Sequence, residues 1–171
     1  MSVDSSWPPI PDARGCRRVL FVCLGNICRS PLAQGVFEHL IQGRGIHNQF
    51  TVASCGTGDW HIGQPPDPRT ILVAERHGVK LHTRGRQLDA AMDFARFDLI
   101  LGMDRRNLEG IRALGCPPQI AGLFLLYAAS TVHPHLDVPD PYYGGPEGFD
   151  EMYRLILLGS EALLDAMLEV R

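Results

Sequence analysis

The sequence predicts an α/β fold: a single domain in which a four-stranded parallel sheet is flanked by helices. Two observations predict it. Four short runs, at residues 19–22, 50–53, 99–101 and 120–124, read as strands that are apolar on both faces, as buried parallel strands are. Segments with helical spacing lie between them, and strands alternating with helices are the pattern of a parallel sheet. At 171 residues and 45% apolar content the chain suits one domain with a sizeable core.

The elements follow in order. Residues 1–16 contain Trp7-Pro8-Pro9-Ile10-Pro11, which has no periodic partner and reads as a polyproline-like, flexible N-terminal tail ahead of a domain at 17–171. Residues 19–22 make the first strand. A helix then starts near Pro31, with Ser30 in the N-cap position, and carries Leu32, Val36, Leu40 and Ile41 on one stripe. The second strand at 50–53 precedes a helix at 69–77, and the third at 99–101 precedes one at 105–114. Gly115 and Pro117-Pro118 stop that helix before the fourth strand. Met152, Leu155, Ile156, Leu163 and Met167 define a last amphipathic helix. No internal repeat is present. In such sheets the site lies at the C-terminal ends of the strands.

The chemistry concentrates in the loop after strand 1, Cys23-Leu24-Gly25-Asn26-Ile27-Cys28-Arg29-Ser30-Pro31. Strand, tight loop and helix in succession turn backbone N–H groups and a positive helix end towards one small anion. Gly25 and Asn26 are the residue types that best tolerate the positive φ such a loop needs. Arg29 supplies a planar fork for two oxygens of a phosphate, expected to reach over the rim of the cradle. Cys23, at its floor, is a nucleophile once ionised, and amide dipoles, a helix N-terminus and a guanidinium all favour a thiolate. The Ser30 hydroxyl can donate to that sulfur.

Other site chemistries fit poorly. Cys23 and Cys28 lack the second ligand pair of a structural zinc site, and no lysine of a nucleotide P-loop is present. A net charge of −3 gives no field suited to nucleic acid or an anionic membrane, and the apolar string at 120–129 is too short to span a bilayer. Five cysteines and no leader pattern argue for a reducing cytoplasm. His133-Pro134-His135 could chelate a metal, although two histidines in a loop are usually solvated.

The nine-residue loop resembles the C-x-G-N-x-C-R-S-P signature of low-molecular-weight protein tyrosine phosphatases of the bacterial type. Further landmarks are Asp140-Pro141-Tyr142-Tyr143-Gly144, the segment at 54–63 with Trp60, Arg76-His77-Gly78 and Leu101-Gly102-Met103-Asp104, so the likeness spans about residues 17–168. Cys55 and the Gly145-Pro146 pair depart from the pattern. The resemblance implies hydrolysis of phosphotyrosine in proteins, releasing inorganic phosphate, without metal or cofactor. Cys23 would form a cysteinyl-phosphate. Asp140 would protonate the leaving phenol and then activate water, while Arg29 and the loop residues Leu24, Gly25, Asn26, Ile27, Cys28 and Ser30 bind phosphate. Asn26, Ser30, Ser54 and His77 match positions that hold the loop by hydrogen bonds. Trp60, Tyr142 and Tyr143 would wall the phenyl ring, and the resemblance marks the two tyrosines as candidate phosphorylation sites. Ile27 matches the tyrosine phosphatases, whereas related arginine phosphatases carry Thr there. Asp137 reads as a solvated loop charge. Cys28 is either a redox guard for Cys23 or a packing residue. Two alternatives stand beside this: an arsenate reductase of the same fold, for which the middle of the chain offers only Cys116, and a non-catalytic phosphotyrosine-binding module.

Overall fold

A computed structural model describes residues 7–132 and 136–170. The strands β1 (Arg18–Cys23), β2 (Thr51–Gly56), β3 (Leu99–Gly102) and β4 (Ala121–Leu123) form one sheet in the order β2-β1-β3-β4, every pair parallel. The helices are α1 (Arg29–Gly43), α2 (Pro68–Arg76), α3 (Ala90–Arg96), α4 (Arg105–Ala113), α5 (Ala129–Val132) and α6 (Pro146–Leu168). The central strand β1 is buried from Val19 to Cys23, as its unbroken apolar run requires. Phe21 packs against Phe37 of α1 and Phe124, with ring centroids 5.9 and 5.5 Å away.

Local chemistry explains where the helices start. Asp67 accepts from the Arg69 N–H ahead of α2, with Pro68 as first helical residue. Asp89 does the same for Ala91 in α3. Asp104 and Asn107 form a reciprocal capping box at α4. The α1 helix departs from expectation: it begins at Arg29, Cys28 occupies the cap position without a side-chain bond, and the Ser30 hydroxyl is used elsewhere.

The strands also differ in extent from the expected runs. β2 continues to Gly56 because each of its residues pairs with β1, Cys23 facing Gly56, whatever its polarity. β4 stops at Leu123, where the chain turns into a 3₁₀ segment at Phe124–Ala128. The seven-residue α3 lacks an apolar stripe long enough to be seen as a periodicity.

Residues 7–16, expected as a flexible tail, pack against the domain, while residues 1–6 lie outside the described part. Pro11 is buried against β4, where a Cβ on Gly122 would stand 2.5 Å from the Pro11 ring. The Tyr127 hydroxyl donates to the Pro11 carbonyl at 2.8 Å, and the Gly15 N–H donates to the Met167 carbonyl at 3.0 Å. Ala13 and Cys16 join the core. A Pro-rich segment has little backbone freedom to lose, so a slot shaped for a proline ring suffices to hold it. Gly122→Ala is expected to cost about 1–3 kcal/mol by overpacking that slot. Each kcal/mol would lower the melting temperature by about 2–4 °C. An unchanged melting temperature would mean that Pro11 yields freely.

Candidate active site

The three strands β1, β2 and β3 end level with one another, Cys23 beside Gly56 and Val22 beside Gly102, and the loop after β1 opens on that edge. Asn26 sits at φ 56°, the left-handed conformation expected of it. Gly56 lets the loop approach β2 closely: a Cβ there would lie 2.7 Å from the Leu24 carbonyl. From this position the buried Asn26 ties the loop together. Its N–H donates to Cys23 Sγ at 3.3 Å, and its Nδ2 donates to Ser30 Oγ at 2.8 Å and Ser54 Oγ at 3.1 Å. Its Oδ1 accepts the Arg86 N–H at 3.0 Å. Ser30 Oγ lies 3.0 Å from Cys23 Sγ and 3.2 Å from the Cys55 carbonyl, so one hydroxyl proton serves either neighbour.

Arg29 is buried in the wall of the cleft rather than arched over its rim. Its Nη1 donates to Asp104 at 2.6 Å and to the Val138 carbonyl at 3.1 Å, and its Nη2 lies 3.6 Å from Asp140. Burial works against the guanidinium charge, but Cys23, Asp104 and Asp140 around it raise its pKa further. Asp140 is half-exposed at the mouth, where Oδ1 accepts the Tyr142 N–H at 3.1 Å. This Asx turn leaves Oδ2 directed at the guanidinium.

One cleft of about 410 Å³ is lined by Cys23, Leu24, Gly25, Ile27, Cys28, Arg29, Trp60, Asp140, Tyr142 and Tyr143, together with His61. The rings of Tyr142 and Tyr143 meet edge to face at 4.9 Å, and Trp60 stands exposed at the rim. Arg69 fixes this wall, its Nη1 donating to the Tyr142 carbonyl at 3.1 Å and its guanidinium lying over the Tyr142 ring.

Two further residues stand differently from expectation. His77 follows α2, is exposed and stacks on Tyr153 at 3.7 Å; the hydrogen bonds that hold the loop come instead from Asn26, Ser30, Ser54 and the Arg86 backbone. Asp137 is not a merely solvated charge, since it accepts from the Arg105 N–H at 2.9 Å and from Nη2 at 3.0 Å. Cys28 is buried where the loop lines the cleft, and this burial pushes its thiol up to about 12. Asp104, Arg86 and His61 were not foreseen as site residues. Asp104 carried a signal as a helix cap, whereas Arg86 acts through its backbone and carried none. The His133-Pro134-His135 pair lies outside the described residues.

The raised Cys28 pKa has a stability consequence. Below its ordinary value of 9.0 the thiol is protonated in both folded and unfolded chains. Between about 9 and 12 the unfolded chain sheds that proton first, so folding weakens as pH rises. Urea midpoints should fall across that window, and Cys28→Ala should make the fall shallower. An identical slope in the variant would contradict the assignment.

A loop that brings Cys23 and the Arg29 guanidinium to one cleft rimmed by Trp60, Tyr142 and Tyr143 is the kind of site that suits an aromatic phosphate. The chain belongs to the family of low molecular weight phosphotyrosine protein phosphatases, whose model matches residues 18–170. The low molecular weight phosphotyrosine protein phosphatase of Schizosaccharomyces pombe is 44% identical over 139 residues, covering 80% of this chain and 87% of that one. The low molecular weight protein-tyrosine-phosphatase of Streptomyces coelicolor is 40% identical over 155 residues, covering 89% and 94%. Among solved structures, a Drosophila arginine phosphatase superposes with a TM-score of 0.79 at 33% identity, over 86% of this chain and 95% of that one. The protein is therefore a protein-tyrosine phosphatase, a hydrolase. Among the described residues no helix is long and apolar enough to cross a membrane.

Proposed function

We propose that the cleft hydrolyses phosphotyrosine in proteins through a covalent intermediate, with Cys23 as nucleophile and Asp140 as acid and base. The supporting observation is that Cys23 and Arg29 of one loop, and Asp140 more than a hundred residues further along the chain, line one cleft together with Tyr142 and Tyr143. In the first step Cys23 Sγ forms a bond to phosphorus as the ester P–O bond breaks, and Asp140 gives its proton to the departing phenol oxygen. In the second, water attacks phosphorus and loses a proton to Asp140. The S–P bond then breaks, the thiolate returns and inorganic phosphate leaves. In this reading Arg29 and the backbone N–H groups of the loop carry the negative charge of the transferred oxygens, the part a metal ion plays in other phosphoryl transfers. The Ser30 proton can swing from the Cys55 carbonyl to the sulfur, easing its departure as thiolate.

The shared fold does not choose between tyrosine and arginine substrates, so the cleft must. Ile27 lines it where the related arginine phosphatases carry Thr, and an apolar side chain there suits a phenyl ring better than a guanidinium. The wall of Tyr142, Tyr143 and Trp60 favours the same flat guest. Turnover of phosphotyrosine peptides above phosphoarginine peptides is the expected result, and the reverse order would overturn the substrate assignment.

An arsenate reductase relay is not favoured. Cys116 and Cys16 precede β4 and β1 and therefore lie at the N-terminal edge of the sheet, opposite Cys23. Cys55, the remaining thiol besides Cys28, is buried in β2 and burial pushes its pKa up. Cys23, Cys28, Cys55 and Cys116 are free thiols, in keeping with a reducing compartment such as the cytoplasm.

A further inference from the structure

We propose that residues 7–16 act as a strap that positions the loop bearing the general acid, with Trp7 and Arg105 as its positioning residues. This rests on Asp140 being the acid. The strap is anchored at its C-terminal part, where Gly15 bonds Met167 and Pro11 fills the Gly122 slot under the Tyr127 hydroxyl. Its other end brings the Trp7 ring over the Arg105 guanidinium, 4.3 Å from the centroid. Arg105 in turn forks onto Asp137, through Nε at 3.1 Å and Nη2 at 3.0 Å, while its backbone N–H donates to the other carboxylate oxygen at 2.9 Å. The next residue, Val138, is pinned on both sides: its N–H donates to the Met103 carbonyl at 2.9 Å, and its carbonyl accepts from Arg29 at 3.1 Å. Asp140 follows two residues later.

This chain of contacts has an order that a decorative surface pair lacks. An exposed Arg–carboxylate pair holds its geometry weakly when its side chains are free to rotate. The indole covers one face of the guanidinium and restricts it, so the fork stays on Asp137. The consequence falls on the distance from Asp140 to the leaving oxygen, since a small misplacement of an acid costs rate without changing substrate binding. The strap lies ahead of residue 18, where the family match begins.

The test compares kcat/KM of the full chain on phenyl phosphate, whose leaving group needs protonation, with dinitrophenyl phosphate, whose leaving group does not. Trp7→Ala is expected to lose about three- to tenfold on phenyl phosphate and less than about twofold on the dinitrophenyl ester. Trp7→Phe, which keeps a ring over Arg105, should restore most of the loss. In an Asp140→Asn background Trp7→Ala should cost nothing further, because there is no proton left to position. Equal losses on both esters, no loss on either, or additivity with Asp140→Asn would overturn the strap. If Asp140→Asn alone lowered both esters equally, the acid assignment itself would fail, which separates the two outcomes.

Discussion

Cys23→Ser is expected to abolish turnover of aryl phosphates, by about 10³–10⁶-fold, while leaving the fold and the cradle intact. Oxygen replaces sulfur within a volume that already accommodates the Asn26 N–H and the Ser30 hydroxyl, so no cavity forms. A neutral hydroxyl in that cradle lacks a base to ionise it, because its polar neighbours are donors or are themselves engaged. The variant should still bind inorganic phosphate, seen as a rise in melting temperature with phosphate concentration. Turnover within tenfold of the parent would show that the sulfur is not the attacking atom. A binding module without catalysis would instead show no turnover in either protein.

Asp140→Asn is the second large effect. The amide keeps the turn onto the Tyr142 N–H and the place beside Arg29, but it has no proton to give. Loss of a positioned acid should lower kcat/KM on phenyl phosphate by about 10²–10⁴-fold, and far less on an ester whose phenol leaves unaided. Phosphate binding should persist, and removal of the carboxylate facing Arg29 should leave the guanidinium freer to hold the anion. The variant is therefore expected to retain phosphotyrosine proteins rather than release them, which makes it the reagent for capturing physiological substrates. Full activity on phenyl phosphate would remove Asp140 from the mechanism.

The candidate site was legible from the chain because Cys23, the αL residue Asn26, Arg29 and the helix start lie within nine positions. Covalent spacing alone then sets their mutual geometry: a strand that ends at Cys23 and a helix that begins at Arg29 leave five residues to curl around an anion. Asp140 could be paired with that loop only through the family resemblance, since nothing local to an Asp-Pro turn marks it as an acid. The apolar runs and stripes likewise located the four strands and the long helices, because burial on two faces or one leaves a periodic trace.

What the tertiary structure alone decided is how distant polar groups meet. Parallel crossovers bring the ends of β1, β2 and β3 to one edge, and that merger places Asp104 on Arg29, the Arg86 N–H on Asn26 and Arg105 on Asp137. A surface arginine looks the same in sequence whether it faces water or a carboxylate, so no periodicity reports these pairings. His77 shows the converse, a residue in a recognisable motif whose ring turns to Tyr153 because it follows the end of α2. The Pro-rich segment is the strongest case. Its composition describes a chain with no core of its own, and the tertiary fold supplies the surfaces it covers, the groove beside Gly122 for Pro11 and the Arg105 guanidinium for Trp7.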